Sequence, residues 1–395
     1  MLGHLHVGHG ASVSWRRLDD VWDLVVVGAG PAGAAAALGA LAARPDARVL
    51  LLDRARFPRD KSCGDGVAPH ALDVLSHVGA DDAVDGFRPV SRLRLGFSDG
   101  VPVAGTMRRA AYVVPRAVLD ARLVAAATAR GAALRQHRVR TVERRDGRVV
   151  LDGDIAARAV VAADGASSVV RRRLGVAAPR DGHVAVAIRG YAPVDARRAD
   201  EQVITFAPTG WPAYAWSFPV GDGRANVGYG ELLRDGRPLT RDHLLGRLDE
   251  LLPGAGAGAT DWRAHHLPLS SGRPRQPAGR VLLAGDALSL VNPLTGEGIY
   301  YAVLSGVLAG RAAVSRAEDP GRAYAAVLRR ELGPHLRHTT VATRLARRRR
   351  VVDAGVAAAR ADPRVFDALV ELGLGRGLLG PRVLGGLARA ATGGG

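Results

Sequence analysis

Gly28, Gly30 and Gly33 stand in a G-x-G-x-x-G spacing, directly after an apolar run from Asp23 to Val27 and at the head of a small-residue run from Ala32 to Ala43. A dinucleotide needs that context. Gly28 permits a tight turn, Gly30 leaves room for a pyrophosphate against the backbone, and Gly33 lets helix and strand pack closely, while the helix N-terminus attracts phosphate charge. The next apolar run, Arg48 to Leu52, ends at Asp53, a carboxylate at the offset from which ribose hydroxyls are held, with Arg54 beside it. Two further acids follow apolar runs: Asp164-Gly165 after Val160 to Ala163, and Gly285-Asp286 after Val281 to Leu283. The latter precedes Asn292-Pro293-Leu294-Thr295-Gly296-Glu297-Gly298-Ile299. Alone, either acid reads equally well as a turn residue.

Two other strings carry reactive or aromatic groups. The single cysteine and single lysine stand together in Lys61-Ser62-Cys63-Gly64-Asp65-Gly66, where the glycines let the backbone lie flat against a ligand and Lys61 favours a thiolate. The plain alternatives are a small buried thiol and a solvated lysine. Tyr214, Trp216 and Phe218 alternate at strand period, so the three rings face one side of a sheet, as core or as the wall of an apolar channel.

The elements around these residues read as an α/β chain. Asp23 to Val27, Ala32 to Ala43 and Arg48 to Leu52 form a βαβ unit, and strands are expected at Ser91 to Phe97, Val101 to Ala104 and Ala159 to Ala163, with a helix from Arg116 to Ala129. From His183 to Leu267 the pattern becomes short alternating stretches broken by Gly, Pro and Asp, which suggests an antiparallel sheet. Arg280 to Leu283 resumes the buried-strand pattern and leads into a helix ending near Leu308; beyond Pro320 the chain is helical. The dinucleotide-binding domain is therefore discontinuous, over 21–86, 112–180 and 276–318. A substrate domain occupies 87–111 and 181–275, a helical region 319–395, and a flexible leader 1–20 with His4, His6 and His9.

In this order the three acid and glycine motifs resemble the fingerprints of FAD-dependent enzymes with the para-hydroxybenzoate hydroxylase fold. The resemblance implies that Asp286 contacts the flavin ribityl chain, that Pro293, Gly296 and Gly298 lie along the ring, and that Arg116 touches the cofactor. The cysteine loop, the Tyr214-Ala215-Trp216-Ser217-Phe218-Pro219 string and the 292–300 string together resemble the geranylgeranyl reductase family, over about Trp22 to Leu379. That family implies saturation of a carbon-carbon double bond in an isoprenoid chain, by hydride from reduced flavin and a proton from Cys63, Tyr214 or bound water. The resemblance also places Cys63 beside the ring and the three aromatic rings along the substrate. A monooxygenase acting on an aromatic or lipid-like substrate and a flavin electron carrier remain as alternatives. No second G-x-G-x-x-G follows a strand, so the reductant, whether NADPH, NADH or a small redox protein, binds only transiently.

Composition narrows the partners. A formal charge of +17 comes from arginines scattered through every segment without a nucleic-acid-binding motif, so an anionic substrate or membrane surface suits the charge better than nucleic acid. One cysteine excludes an internal disulfide, and the cytoplasm is the simplest location. The uncharged stretch 24–43 carries four glycines and a proline, and divides into strand, turn and helix, so it is not a membrane span. Near the C-terminus, Val365, Phe366, Leu369, Val370, Leu372 and Leu374 form an apolar helix face close to the arginines at 344 and 347–350. That helix either caps the substrate domain or meets a membrane peripherally.

Overall fold

A computed structural model describes residues 21–209, 212–234 and 239–391; the leader, with its three histidines, lies outside the described residues. The strands β1 (Trp22–Val27) and β2 (Val49–Asp53) are almost wholly apolar, and only a sheet covered on both faces can bury such runs. They pair in parallel, with β6 (Ala133–Gln136) beyond β2, and β9 (Ile155–Ala162) on the other side of β1. The late strand β15 (Val281–Leu283) joins β9 in parallel, while β8 (Arg148–Leu151) and β7 (Val142–Arg145) extend the sheet as an antiparallel hairpin. This seven-stranded sheet carries α1 (Pro31–Ala43), α3 (Arg116–Ala129) and α6 (Ile299–Ala313), so segments remote in sequence build one Rossmann-type unit. The stretch 24–43 is strand, turn and helix, and no helix among the described residues is long and apolar enough to cross a membrane.

A second sheet of eight strands stands beside the first. Its order is β14 (Thr260–Pro268), β10 (Val184–Pro193), β13 (Arg224–Leu232), β12 (Ala213–Pro219), β11 (Glu201–Phe206), β4 (Val90–Phe97), β5 (Val103–Val113) and β3 (Gly66–Val67). All neighbours are antiparallel except β4 and β11. Two features depart from the sequence reading. The strand expected to stop at Ala104 runs on to Val113, so a domain division at 111 falls inside it. The region read as short strands alone also contains α5 (Arg241–Leu251), capped by Thr240, with Leu244, Leu248 and Leu251 buried on the sheet. That i, i+4, i+7 spacing was present in the sequence, but the Gly and Asp residues around it masked the period.

The tail forms four helices: α7 (Pro320–Ala346), α8 (Arg349–Ala361), α9 (Pro363–Leu374) and α10 (Pro381–Ala391). Of the two roles open to α9, the structure supports capping. Val365 and Phe366 are buried, and Phe366 lies so close to Gly105 on β5 that a β-carbon there would come within 2.8 Å of its ring. Arg349 clamps Asp99 through two hydrogen bonds of 2.7 Å, so the basic run is not entirely a solvated face.

Helices α1 and α6 pack backbone against backbone. A β-carbon on Gly310 would lie 1.9 Å from the carbonyl oxygen of Ala36, and one on Gly306 would lie 2.2 Å from that of Ala32. Gly310→Ala therefore forces the helices apart and is expected to cost about 1–3 kcal/mol or more. Gly246→Ala, on α5 with open space around it, is expected to stabilise by up to about 1 kcal/mol through helix propensity. Denaturant unfolding of the two variants against the parent checks both signs.

Candidate active site

One continuous cavity of ≈ 960 Å³ runs from the head of α1 to the C-terminal helices. The turn after β1 needs Gly28 at φ +94°, and a β-carbon on Gly33 would come within 1.8 Å of the Gly28 carbonyl oxygen. Gly33 is thus a packing glycine behind the cavity wall, while Gly28 and Gly30 line it. Asp53 accepts hydrogen bonds from the backbone N–H groups of Ala29 and Ala55, both at 2.9 Å, so the carboxylate that ends β2 also shapes the glycine turn.

At Gly30 the first turn of α1 has no side-chain cap, and two guanidinium groups gather in front of it. A β-carbon there would sit 3.4 Å from Arg59 and 3.6 Å from Arg116. Arg116 is buried and held by Asp120 through two hydrogen bonds of 2.7 Å; Arg59 reaches Asp120 at 3.0 Å. An uncapped helix start with two oriented cations is a cradle for a pyrophosphate, and the residues fit FAD.

The second motif closes the neighbouring wall. Asp164 accepts hydrogen bonds from the Ser168 hydroxyl and from the backbone N–H groups of Val169 and Val170, which turns the chain into a short helix, and Gly165 stands at φ +80°. Arg171, buried beneath, donates to the carbonyl oxygens of Ala166 and Ala287 and so ties the second motif to the third. In the third motif Asp286 lies in the wall, and Lys61 donates to its Oδ2 at 3.1 Å. Burial pushes the Asp286 carboxyl up, but Lys61 and His265 outweigh it and hold the group below its usual range. Gly296 and Gly298 line the cavity and Pro293 is buried behind it; Arg54 lines the opposite end.

Lys61 is therefore not a solvated loop residue, and its pull toward a thiolate at Cys63 is outweighed. Its charge is committed to Asp286, and burial pushes the Cys63 thiol up despite the opposing pull of Arg116 and Lys61. Cys63 lines the cavity as a thiol, and Gly64 next to it lies against Phe218 and Trp216 of the aromatic row. Tyr214, Trp216 and Phe218 do form that row on one side of β12, with ring centroids 5.9 Å and 6.3 Å apart. Tyr214 donates its hydroxyl to the Thr295 carbonyl oxygen, and Trp216 donates Nε1–H to Asn226 Oδ1 at 2.8 Å.

Several residues of the site escaped the sequence reading. Asn226 spends its amide on both Cys63 O, at 2.8 Å, and Asp65 Oδ2, at 2.9 Å, and thereby locks the cysteine loop to the sheet. Asp65 is fully buried, takes a second hydrogen bond from the Tyr191 hydroxyl, and leaves Oδ1 without a partner; burial pushes its carboxyl up to about 6. His265 lines the cavity with Nε2 unpartnered, and burial, with help from Lys61, drives it down to about 4, so it is neutral. Asp65 stood inside a string already singled out, whereas Asn226 and His265 carried no local signal.

Placing a valine side chain at Gly30 fills the space between the α1 backbone and the two guanidinium groups. Gly30→Val is expected to weaken FAD retention at least tenfold, about 1.4 kcal/mol, while the far-ultraviolet dichroism stays that of the parent. Flavin absorbance after desalting, with FAD released from the parent by heat, reads the difference.

The comparisons with known proteins agree with this geometry. The FAD binding domain family matches residues 22–215. The chain is 36% identical over 318 residues to a menaquinone reductase of Mycolicibacterium smegmatis, covering 73% of this chain and 75% of that protein. It is 35% identical to digeranylgeranylglycerophospholipid reductase 1 of Methanopyrus kandleri, covering 75% and 82% respectively. A geranylgeranyl bacteriochlorophyll reductase-like protein of Thermoplasma acidophilum shares the fold, with a TM-score of 0.71 and 23% identity over 94% of this chain and 96% of that one. Relatives of this identity and coverage, on a chain whose three motifs line one cavity that fits FAD, make this protein an FAD-dependent oxidoreductase of the geranylgeranyl reductase family.

Proposed function

We propose that this protein saturates a carbon-carbon double bond in the prenyl chain of an isoprenoid lipid. The observation that carries the reading is the continuity of the cavity. Beyond Cys63 and the aromatic row it passes between the second sheet and the C-terminal helices, where Leu95, Ile204 and Phe206 face Val352, Val356 and Leu369. A chamber with such walls recovers roughly 25 cal/mol for each Å² of apolar substrate surface it takes from water, and no guanidinium or ammonium group stands among those side chains. The printed names of the relatives, reductases of menaquinone and of digeranylgeranylglycerophospholipid, support the same substrate class.

When bound and reduced, FAD supplies the hydride. The tilted rings of Tyr214, Trp216 and Phe218 form one wall that restrains a flexible prenyl chain, and Trp216 cannot rotate while Asn226 holds its N–H. Cys63 presents a neutral thiol at the same place, its loop fixed by the Asn226 amide and by Ser62, whose hydroxyl donates to Arg263 O at 2.9 Å. NADPH, NADH or a small redox protein supplies the electrons. A monooxygenase of the same fold would consume oxygen and yield a hydroxylated product.

Incubation of the reduced holoenzyme with a prenylated quinone or prenyl lipid, followed by mass spectrometry, tests the reading: the product gains two hydrogens and no oxygen. Oxygen uptake coupled to hydroxylation overturns it. Cys63→Ala is expected to keep FAD and lose at least tenfold in prenyl reduction; turnover equal to the parent returns Cys63 to a packing role.

Collection of such a substrate calls for contact with a bilayer, and the C-terminal helices carry the side chains for it. Val341, Leu345, Leu378 and Leu384 are all at least 40% exposed, and Leu345 is also part of the cavity wall. Arg347, Arg348 and Arg350 are exposed beside them. The protein is expected to bind vesicles containing anionic lipid, to be released as salt rises, and to lose binding when these three arginines become glutamine with Arg349 left in place. Co-sedimentation with anionic and neutral vesicles measures it, and equal recovery in both supernatants refutes it.

A further inference from the structure

Four acidic side chains besides Glu297 line the cavity, and each is already satisfied. Asp53 meets Arg59, Asp60 meets Arg189 and Arg263, Asp286 meets Lys61, and Asp164 accepts three hydrogen bonds from the turn it heads. Glu297 also lines the cavity, and among the described residues no cation lies within ion-pair distance of it. Its surroundings are rigid. Asn292 donates its backbone N–H to Glu297 O at 2.8 Å and its side-chain amide to the Leu372 and Gly373 carbonyl oxygens, and Thr295 donates to Gly373 O at 2.7 Å. The loop is thus fastened to the end of α9, and Glu297 Oε1 is fixed by a hydrogen bond of 2.8 Å from the Tyr300 N–H.

We infer that Glu297 is the proton donor to the substrate carbon in the prenyl reduction proposed above, a role that Cys63 and Tyr214 are less suited to fill. Burial drives the Glu297 carboxyl up to about 7, against the hydrogen bonds from Tyr300 and Ile299 that favour the carboxylate. Its titratable neighbours are Tyr214 on β12 and Tyr301 on α6, which burial also pushes up, so both are neutral and neither offers a compensating charge. Tyr214 in addition directs its hydroxyl proton at the Thr295 carbonyl oxygen. An acid that titrates near the working pH is both protonated and willing to give up the proton, whereas a thiol and a phenol raised by burial hold theirs.

The balance is as follows. One alkene carbon receives hydride, with its electron pair, from reduced FAD. The π pair of the double bond takes the carboxyl proton at the neighbouring carbon, so both new bonds are C–H bonds. Glu297 is left as carboxylate and regains a proton from water at the cavity mouth, and the external two-electron donor restores the reduced cofactor.

Glu297→Gln keeps the acceptor for Tyr300 and removes the proton, so it tests the chemistry with little risk to the fold. In the holoenzyme, infrared difference spectra against this variant are expected to show a protonated carboxyl band in the parent at pH 6 that disappears as pH rises through about 7. Prenyl reduction by the parent falls over the same interval, because the acid form is lost as pH rises. The variant is expected to hold FAD and to accept electrons from the donor at the parental rate, yet to reduce prenyl chains at least 100-fold more slowly and without that pH limb. Absence of the carboxyl band overturns the inference, as does parental turnover in Glu297→Gln, or transfer of the pH limb to Cys63→Ala or Tyr214→Phe. A parent that shows the band but reduces no prenyl substrate overturns the proposed function instead, and the proton transfer with it.

Discussion

The close approach of α1 and α6 is the constraint on which the site depends. Ala32 meets Gly306 and Ala36 meets Gly310, so the two helices run in the same direction with their backbones nearly touching. Their N-termini therefore arrive together at one end, although Pro31 and Ile299 stand far apart in sequence. One terminus meets the phosphate cradle at Gly30, and the other receives the loop that carries Gly296, Glu297 and Gly298. The positive ends of both helix dipoles face the same cavity, which favours an anionic cofactor there. A side chain larger than hydrogen on the α6 face would separate the helices and with them the two halves of the site.

Charge in the cavity is kept where ions are paired. Around the phosphate end the guanidinium groups of Arg59 and Arg116 are held by Asp53 and Asp120, and Lys61 by Asp286. Where no cation is paired with them, burial pushes the thiol of Cys63, the phenol of Tyr214 and the carboxyl of Glu297 up and the imidazole of His265 down, which favours the uncharged form of each. Burial produces these shifts, because the charged form of each group loses more hydration than its neighbours repay. A chamber whose unpaired groups favour their uncharged forms suits an apolar chain.

The second sheet and the tail act together as the chamber. The sheet contributes a stiff wall whose aromatic row is pinned by Asn226 and Thr295, and α8 and α9 supply the facing wall, with Phe366 seated on Gly105. Asp65 and Asn226 join the cysteine loop to this sheet through buried hydrogen bonds, so the loop moves with the substrate wall as well as with the cofactor domain.

The amino-acid sequence by itself determined the dinucleotide cradle, the three motifs in order, the aromatic row on one face of a strand and the helical tail, because each depends on residues close in the chain. G-x-G-x-x-G specifies its turn locally, since only glycine tolerates the φ of residue 28 and the contact made by residue 33. Alternation at 214, 216 and 218 puts three rings on one side of any strand. Only the tertiary structure decided the state and company of the reactive groups. Lys61 lies beside Cys63 in sequence yet spends its charge on Asp286, and a helix face as suited to lipid as to protein is buried by β5. Whether a thiol or a carboxyl keeps its proton depends on how much water the fold removes and which distant cation it brings near, and neither quantity is a property of neighbouring residues.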